Sequence, residues 1–246
     1  PRAYLRRFFD SIDVSEKNKN TLAEGGYIFL IDEAHNLPDR ARNMYSDSLN
    51  MRMFSQFASD ISAQDEVLCA SLCRVARILK MMKKLCAETL CTMENGEEYG
   101  YYVAKAPPAR LNDAIRDLIP LLEERLPLYA DSRHGERLRD LYFALREYLQ
   151  RLEYYTKRFK TLIEIKRGNI YCRILCLDPC EIIDARLSCG RAAIMFSATL
   201  TPTEYFCSVL GGGQSASVLE LPSPFDKSRL CIAVMDKIST RHADRG

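Results

Sequence analysis

Between Tyr27 and Ile31 five large apolar residues follow one another directly after Gly25-Gly26. A short apolar run set off by glycines predicts a central strand buried on both faces of a parallel sheet. Upstream, residues 4–20 begin amphipathic, with Tyr4, Leu5, Phe8, Phe9 and Ile12, and turn polar in a loop at Ser15–Asn20. From about residue 49 the period lengthens. Leu68, Leu72, Val75, Leu79, Met82 and Cys86 step by fours and threes along one side of a long helix, which Asn95-Gly96 breaks. Pro107-Pro108 opens a second helix with Leu111, Ile115, Leu118 and Leu122 on one face and Pro120 inside it. After a loop at 131–135, a third stripe runs Leu138, Leu141, Leu145, Tyr148, Leu152, Tyr155, Phe159, Leu162 and predicts a helix to about Lys166.

Beyond Gly168 strand character returns, in the alternation from Ile170 to Leu177 and in the short run Ala192–Phe196. Gly211–Gly213 is a turn and Leu221–Pro224 a linker, and Leu230–Val234 begins one more strand. The predicted fold class is therefore α/β: strand, long helical insertion, strands, linker, and the first strand of something else.

Composition changes this picture little. A chain of 246 residues can hold one large domain or two small ones, and 47% hydrophobic with 28% charged residues is ordinary for a globular protein. A net charge of +2 announces no nucleic-acid partner, so any such partner must come from local patches. No apolar run approaches the ~20 residues of a membrane span, and no apolar stretch follows the basic residues at the start as a signal peptide requires. Ten scattered cysteines in a chain this large point to reduced thiols and a cytoplasmic location. The opening Pro1, without a Met, suggests a piece of something longer.

The chemistry concentrates at strand ends, where open α/β sheets place their ligands. Asp32 and Glu33 stand where the first strand should stop. The first acid can hold Mg²⁺ on nucleotide phosphates and the second can orient or deprotonate a water. The bland alternative is that the two acids cap a helix starting near Ala34. A second strand end carries Ser197-Ala198-Thr199 before Leu200-Thr201-Pro202. Its hydroxyls can reach His35 or serve as an ordinary helix N-cap.

Tyr27-Ile28-Phe29-Leu30-Ile31-Asp32-Glu33-Ala34-His35-Asn36-Leu37 resembles motif II of the XPD/DinG-like superfamily-two helicases, and Phe196–Pro202 resembles their motif III. Cys176-Leu177-Asp178-Pro179 resembles the strand that returns from the family's helical insertion. Leu221–Phe225 and Ile238–Arg241 look like the passage into its second motor domain. More than 150 residues separate the two motifs, a gap that in XPD-like enzymes holds the Arch domain, and the three helical stripes fall inside it.

The resemblance implies a partial RecA-like motor domain of the P-loop NTPase type with an all-helical Arch-like insertion. Its parts would be 1–48 (motor, motif II), 49–168 (insertion), 169–220 (motor, motif III) and 221–246 (linker and start of the second motor domain). It implies ATP and Mg²⁺, with Asp32 as the metal ligand, Glu33 activating water, and His35, Ser197, Ala198 and Thr199 coupling hydrolysis to strand movement. The parent would be a monomeric ATP-dependent DNA helicase of repair or replication, unwinding 5′-to-3′ on single-stranded DNA. Its [4Fe-4S] cluster would have ligands outside this chain. No Gly-x-x-x-x-Gly-Lys-Ser/Thr loop is present, so the chain alone is expected to be inactive. The alternatives are an RNA-directed superfamily-two ATPase and a non-catalytic helical interaction module on an ATPase remnant.

Other candidates read more plainly. Cys172, Cys176 and Cys180 lack common metal spacings and read as buried thiols, as does the pair Cys69 and Cys73. His134 and His242 have no convincing partners. Arg137, Arg139, Arg146, Arg151, Lys157, Arg158, Lys160 and Lys166 read first as a solvated helix face and second as a DNA-backbone contact. Tyr99, Tyr101 and Tyr102 could stack on bases, with ordinary packing the simpler reading.

Overall fold

The structure, a computed structural model, describes residues 28–94, 96–212 and 216–222, together with 226, 231 and 233. The predicted amphipathic start, Gly25-Gly26, Tyr27, Ser223–Phe225, His242 and the stretch at 238–241 lie outside the described residues, as does most of the strand expected at 230–234. The chain divides into two units, 1–214 and 215–246; in the second, residues 216–222 have no regular structure.

The first unit begins with strand β1 (Ile28–Ile31), a single turn of 3₁₀ helix at Ala34–Asn36 and helix α1 (Leu37–Tyr45). Strand β2 (Asp47–Asn50) leads into α2 (Met51–Ile61) and α3 (Glu66–Met82). Asn50 caps α2 by accepting from Met53 N at 3.1 Å, and Asp65 caps α3 by accepting from Leu68 N at 2.9 Å. Helix α3 stops at Met82 in a 3₁₀ turn, well before Asn95, and two strands follow, β3 (Cys91–Thr92) and β4 (Glu98–Ala104). Helices α4 (Ala109–Arg125) and α5 (Gly135–Leu152) come next, then β5 (Phe159–Lys166), β6 (Asn169–Cys176), α6 (Cys180–Leu187), β7 (Ala192–Met195) and α7 (Thr203–Val209).

The strands form two sheets. β1 and β7 pair in parallel, Ile28 opposite Ala192 through Ile31 opposite Met195. The other five form an antiparallel sheet in the order β2-β6-β5-β4-β3. One core joins this sheet to α2–α5, built from Phe54, Phe57, Ile61, Leu68, Leu72, Leu79, Ile115, Leu118, Leu145, Tyr148, Ile163, Ile165, Cys172 and Ile174.

Three expectations are corrected. Residues 49–168 are not all-helical, because the antiparallel sheet runs through them. The third helix ends at Leu152, and the residues after it turn and form β5. There Phe159, Thr161, Ile163 and Ile165 are buried at a period of two, and Leu162, which the helical stripe required inside, lies on the other face. Phe159 suits both periods, which is why the stripe continued past its helix. The division drawn at 168 cuts the β5–β6 hairpin, whose two-residue turn has Arg167 at φ 52° and Gly168 at φ 64°, the positive values that a tight hairpin needs. Finally, β1 is not buried on both faces: Ile28 is 56% and Leu30 69% exposed, because among the described residues β7 is its one paired strand. No described helix is long and apolar enough to cross a membrane.

Candidate nucleotide-hydrolysis site

The site forms where β1 and β7 end side by side. Their ladder continues one step past the strands: Phe196 N donates to Ile31 O at 3.0 Å and Ala34 N to Phe196 O at 3.2 Å. Ala34 is fully buried in a small apolar cluster with Val209 and Leu210, against which Ile31, Leu37, Met195, Leu200 and Phe206 pack. A side chain larger than alanine would open this joint. The cluster fixes the two loops against each other and leaves their polar side chains at the surface.

Between Ile31 and Ala34 the chain turns through Glu33, which adopts φ 50°, ψ 42°. That left-handed conformation is uncommon for a residue with a Cβ. Asp32 stabilises the turn by accepting from Glu33 N at 2.7 Å. The turn carries the Glu33 carboxylate to the second loop, where Oε2 lies 3.2 Å from Ser197 Oγ and 3.1 Å from His35 Nδ1. His35 Nδ1 and Ser197 Oγ are 2.8 Å apart. Ser197 Oγ is also 3.2 Å from Thr199 Oγ1 and accepts from Thr199 N at 3.2 Å. Glu33, His35, Ser197 and Thr199 thus converge, and Asp32 stands exposed beside them. Ala198 is exposed and contributes backbone only.

Asp32 is the residue that could hold a metal. The described residues contain no cluster of three or more His, Cys, Asp or Glu that would bind an ion alone.

One contributor went unseen in the sequence. Arg42 of α1 donates from Nε to Leu177 O at 3.0 Å, pairs with Asp39 at 2.6 Å and reaches Tyr205 Oη at 3.5 Å. It ties the helix after Asp32–Asn36 to the end of β6 and to the helix after Thr199. The hydrogen bond to Tyr205 leads in holding its guanidinium above the usual range, against some desolvation. Only the i,i+3 spacing of Asp39 and Arg42 hinted at it.

The other candidates have structural roles. Cys172 and Cys176 face the core from β6, and burial pushes their thiols up to about 12 and about 11. Cys180 Sγ lies 3.6 Å from Asp178. His134 is buried, accepts from Arg133 Nε at 2.8 Å and lies beside Phe57. Arg137 pairs with Asp60, Arg151 with Asp47 and Glu147, and Arg158 with Asp178 and Glu181. These three arginines hold elements together instead of forming an open basic face.

No protein-family model matches the chain. A curated relative is 29% identical over 247 residues: the ATP-dependent DNA helicase YoaA of Escherichia coli (strain K12). The likeness is to a DNA helicase. It covers 92% of this chain and 37% of the relative, so the chain spans little more than a third of the length of the protein it matches.

Proposed function

We propose that this chain is the part of an ATP-dependent DNA helicase, of the XPD/DinG-like branch, that carries motif II, an Arch-like insertion and motif III. The hydrogen bond between His35 and Ser197 supports this reading most directly, because it joins the two motifs across 162 positions of sequence. The likeness to a DNA helicase along 92% of the chain supports it independently. The insertion, with its mixed helices and antiparallel sheet, would help form the passage for single-stranded DNA. The parent would work 5′-to-3′ in repair or replication, with any iron–sulfur ligands outside this chain.

Asp32 would hold Mg²⁺, which would supply charge neutralisation at the phosphates of ATP. Glu33, carried to the second loop by its left-handed turn, would orient the attacking water and accept its proton. Ser197 binds whichever of His35 and Glu33 is free to accept, so a change at the carboxylate reaches the loop that begins α7. With no phosphate-cradling Gly-Lys loop among its residues, the chain alone would not turn over ATP.

Glu33→Gln in the full-length protein tests the assignment. ATP hydrolysis should fall by about 10²–10⁴-fold, the range for removing a general base, with ATP binding retained. Undiminished turnover would overturn it.

A further inference from the structure

The antiparallel sheet has two faces with different surroundings. Phe159, Ile163, Ile165, Cys172 and Ile174 point into the helical core. On the other face the register builds two cross-strand rows, Asn50–Tyr171–Glu164–Tyr101 and Ser48–Arg173–Leu162–Val103. Tyr101 is 46% and Val103 51% exposed, and Tyr171 and Leu162 are only partly covered. Tyr99 extends this surface, its ring 6.5 Å from that of Tyr101. Tyr102 falls on the opposite face.

The polar groups are arranged around the rings. Glu164 lies between Tyr101 and Tyr171, its side chain 12% exposed, and forms an ion pair with Arg173, Oε2 to Nη2 3.0 Å. The Arg173 guanidinium lies 5.5 Å from the centre of the Tyr171 ring, and among the described residues neither Glu164 Oε2 nor Arg173 Nε, both buried, has a hydrogen-bond partner. Lys160 and Lys166 share the face from β5, and the hairpin turn adds Arg167, whose carbonyl accepts from Arg52 Nη2 at 2.9 Å. The one acid in the two rows is thus paired with Arg173, while Lys166 and Arg167 at the hairpin end and Lys160 at the other end of β5 remain.

We propose that this face binds single-stranded DNA, with Tyr101 and Tyr171 stacking on bases and Arg52, Lys160, Lys166 and Arg167 following the phosphates. The inference rests on the DNA-helicase reading and assigns the insertion its own contact surface. Single-strand binders combine a basic track with aromatic platforms, and stacking tolerates any base because every base has a π-face. Open antiparallel sheets with aromatic residues on adjacent rows serve single-stranded RNA in the same way. Charge decides against a protein partner, since protein interfaces are depleted in lysine and two lysines flank these rings. The tyrosines on β4 and β6 flank β5, so they lie about 10 Å apart, two strand spacings, which separates them by more than one stacked base.

The experiment uses the full-length protein and a twenty-nucleotide oligo(dT) carrying 5-bromodeoxyuridine, irradiated and mapped by mass spectrometry. Crosslinks should fall in 98–104 and 169–176. The pair Tyr101→Ala, Tyr171→Ala should weaken oligo(dT) binding by at least about tenfold, the loss expected from two stacking contacts. Tyr101→Phe, Tyr171→Phe, which keeps the rings, should stay within about twofold. Crosslinks confined to other segments, with full affinity in the double alanine variant, would overturn the face and leave the helicase reading standing. No binding of oligo(dT) by the unaltered protein would overturn both. Tighter binding of the matching oligo(U) would overturn the choice of DNA.

Discussion

Ser197 has one proton to give and three acceptors within reach: His35 Nδ1 at 2.8 Å, Glu33 Oε2 at 3.2 Å and Thr199 Oγ1 at 3.2 Å. It can serve one at a time. When His35 carries its proton on Nδ1, the imidazole donates and the hydroxyl is released to Glu33 or Thr199. On the proposed reading, Ser197 would be a coupling group more than a chemical one. Ser197→Ala should therefore lower unwinding more than ATP hydrolysis, cutting base pairs opened per ATP by about tenfold, a coupling loss of ordinary size. A parallel fall in both rates would show that the hydroxyl acts in hydrolysis itself. These residues were legible in the sequence because the chemistry is local: acids at a strand end and hydroxyls at another. The left-handed backbone of Glu33 was not legible, since glutamate gives no sign of φ 50°. Nor was Arg42, whose partners Leu177 and Tyr205 lie 135 and 163 positions away.

Periodicity identified α3, α4 and α5, because each presents a single buried stripe to one core, but it carried α3 past its end at Met82. It failed at β5, where Phe159 satisfies both a helical and a strand period, and at β4, whose Tyr99, Tyr101 and Tyr102 were read for their rings and not for their β propensity. Strand pairing depends on partners far along the chain, and no single segment announces them. The core side of β6 has a consequence in alkali. Burial lifts the Cys172 thiol from its ordinary 9.0 to about 12 and Cys176 to about 11, and it holds the Tyr148 hydroxyl well above its usual range. All three deprotonate more readily in the unfolded chain. Their contribution to stability is complete below pH 9.0, the thiols' ordinary value, and falls away as pH climbs through the folded values of about 11 and about 12. Thermal melts from pH 8 upward should show a midpoint that holds steady and then drops above about pH 9. A flat profile to pH 11 would contradict the burial of these groups.

On the scale of the whole first unit, β1 and β7 carry the two halves of the candidate site and pair across more than 160 positions, while β5 and β6 pair across a two-residue turn. Local stability follows such differences. In native-state hydrogen exchange, the amides of Ala34 and Phe196, which bridge the two site loops, should open well before those of β5 and β6. Equal protection would mean that the two sheets unfold together. The segment between β1 and β7 bears on this, because its strands β2 and β6 are direct neighbours, Asp47 opposite Ile174. The chain therefore enters the antiparallel sheet and leaves it at the same place. In terms of chain entropy, this segment, folded as the proposed insertion, replaces a loop of roughly 160 residues with about 30 outside it, and closing β1 onto β7 then costs about 1.5 kcal/mol less. If the insertion folds first, it draws the distant strands together, and the site is the last part of the unit to assemble.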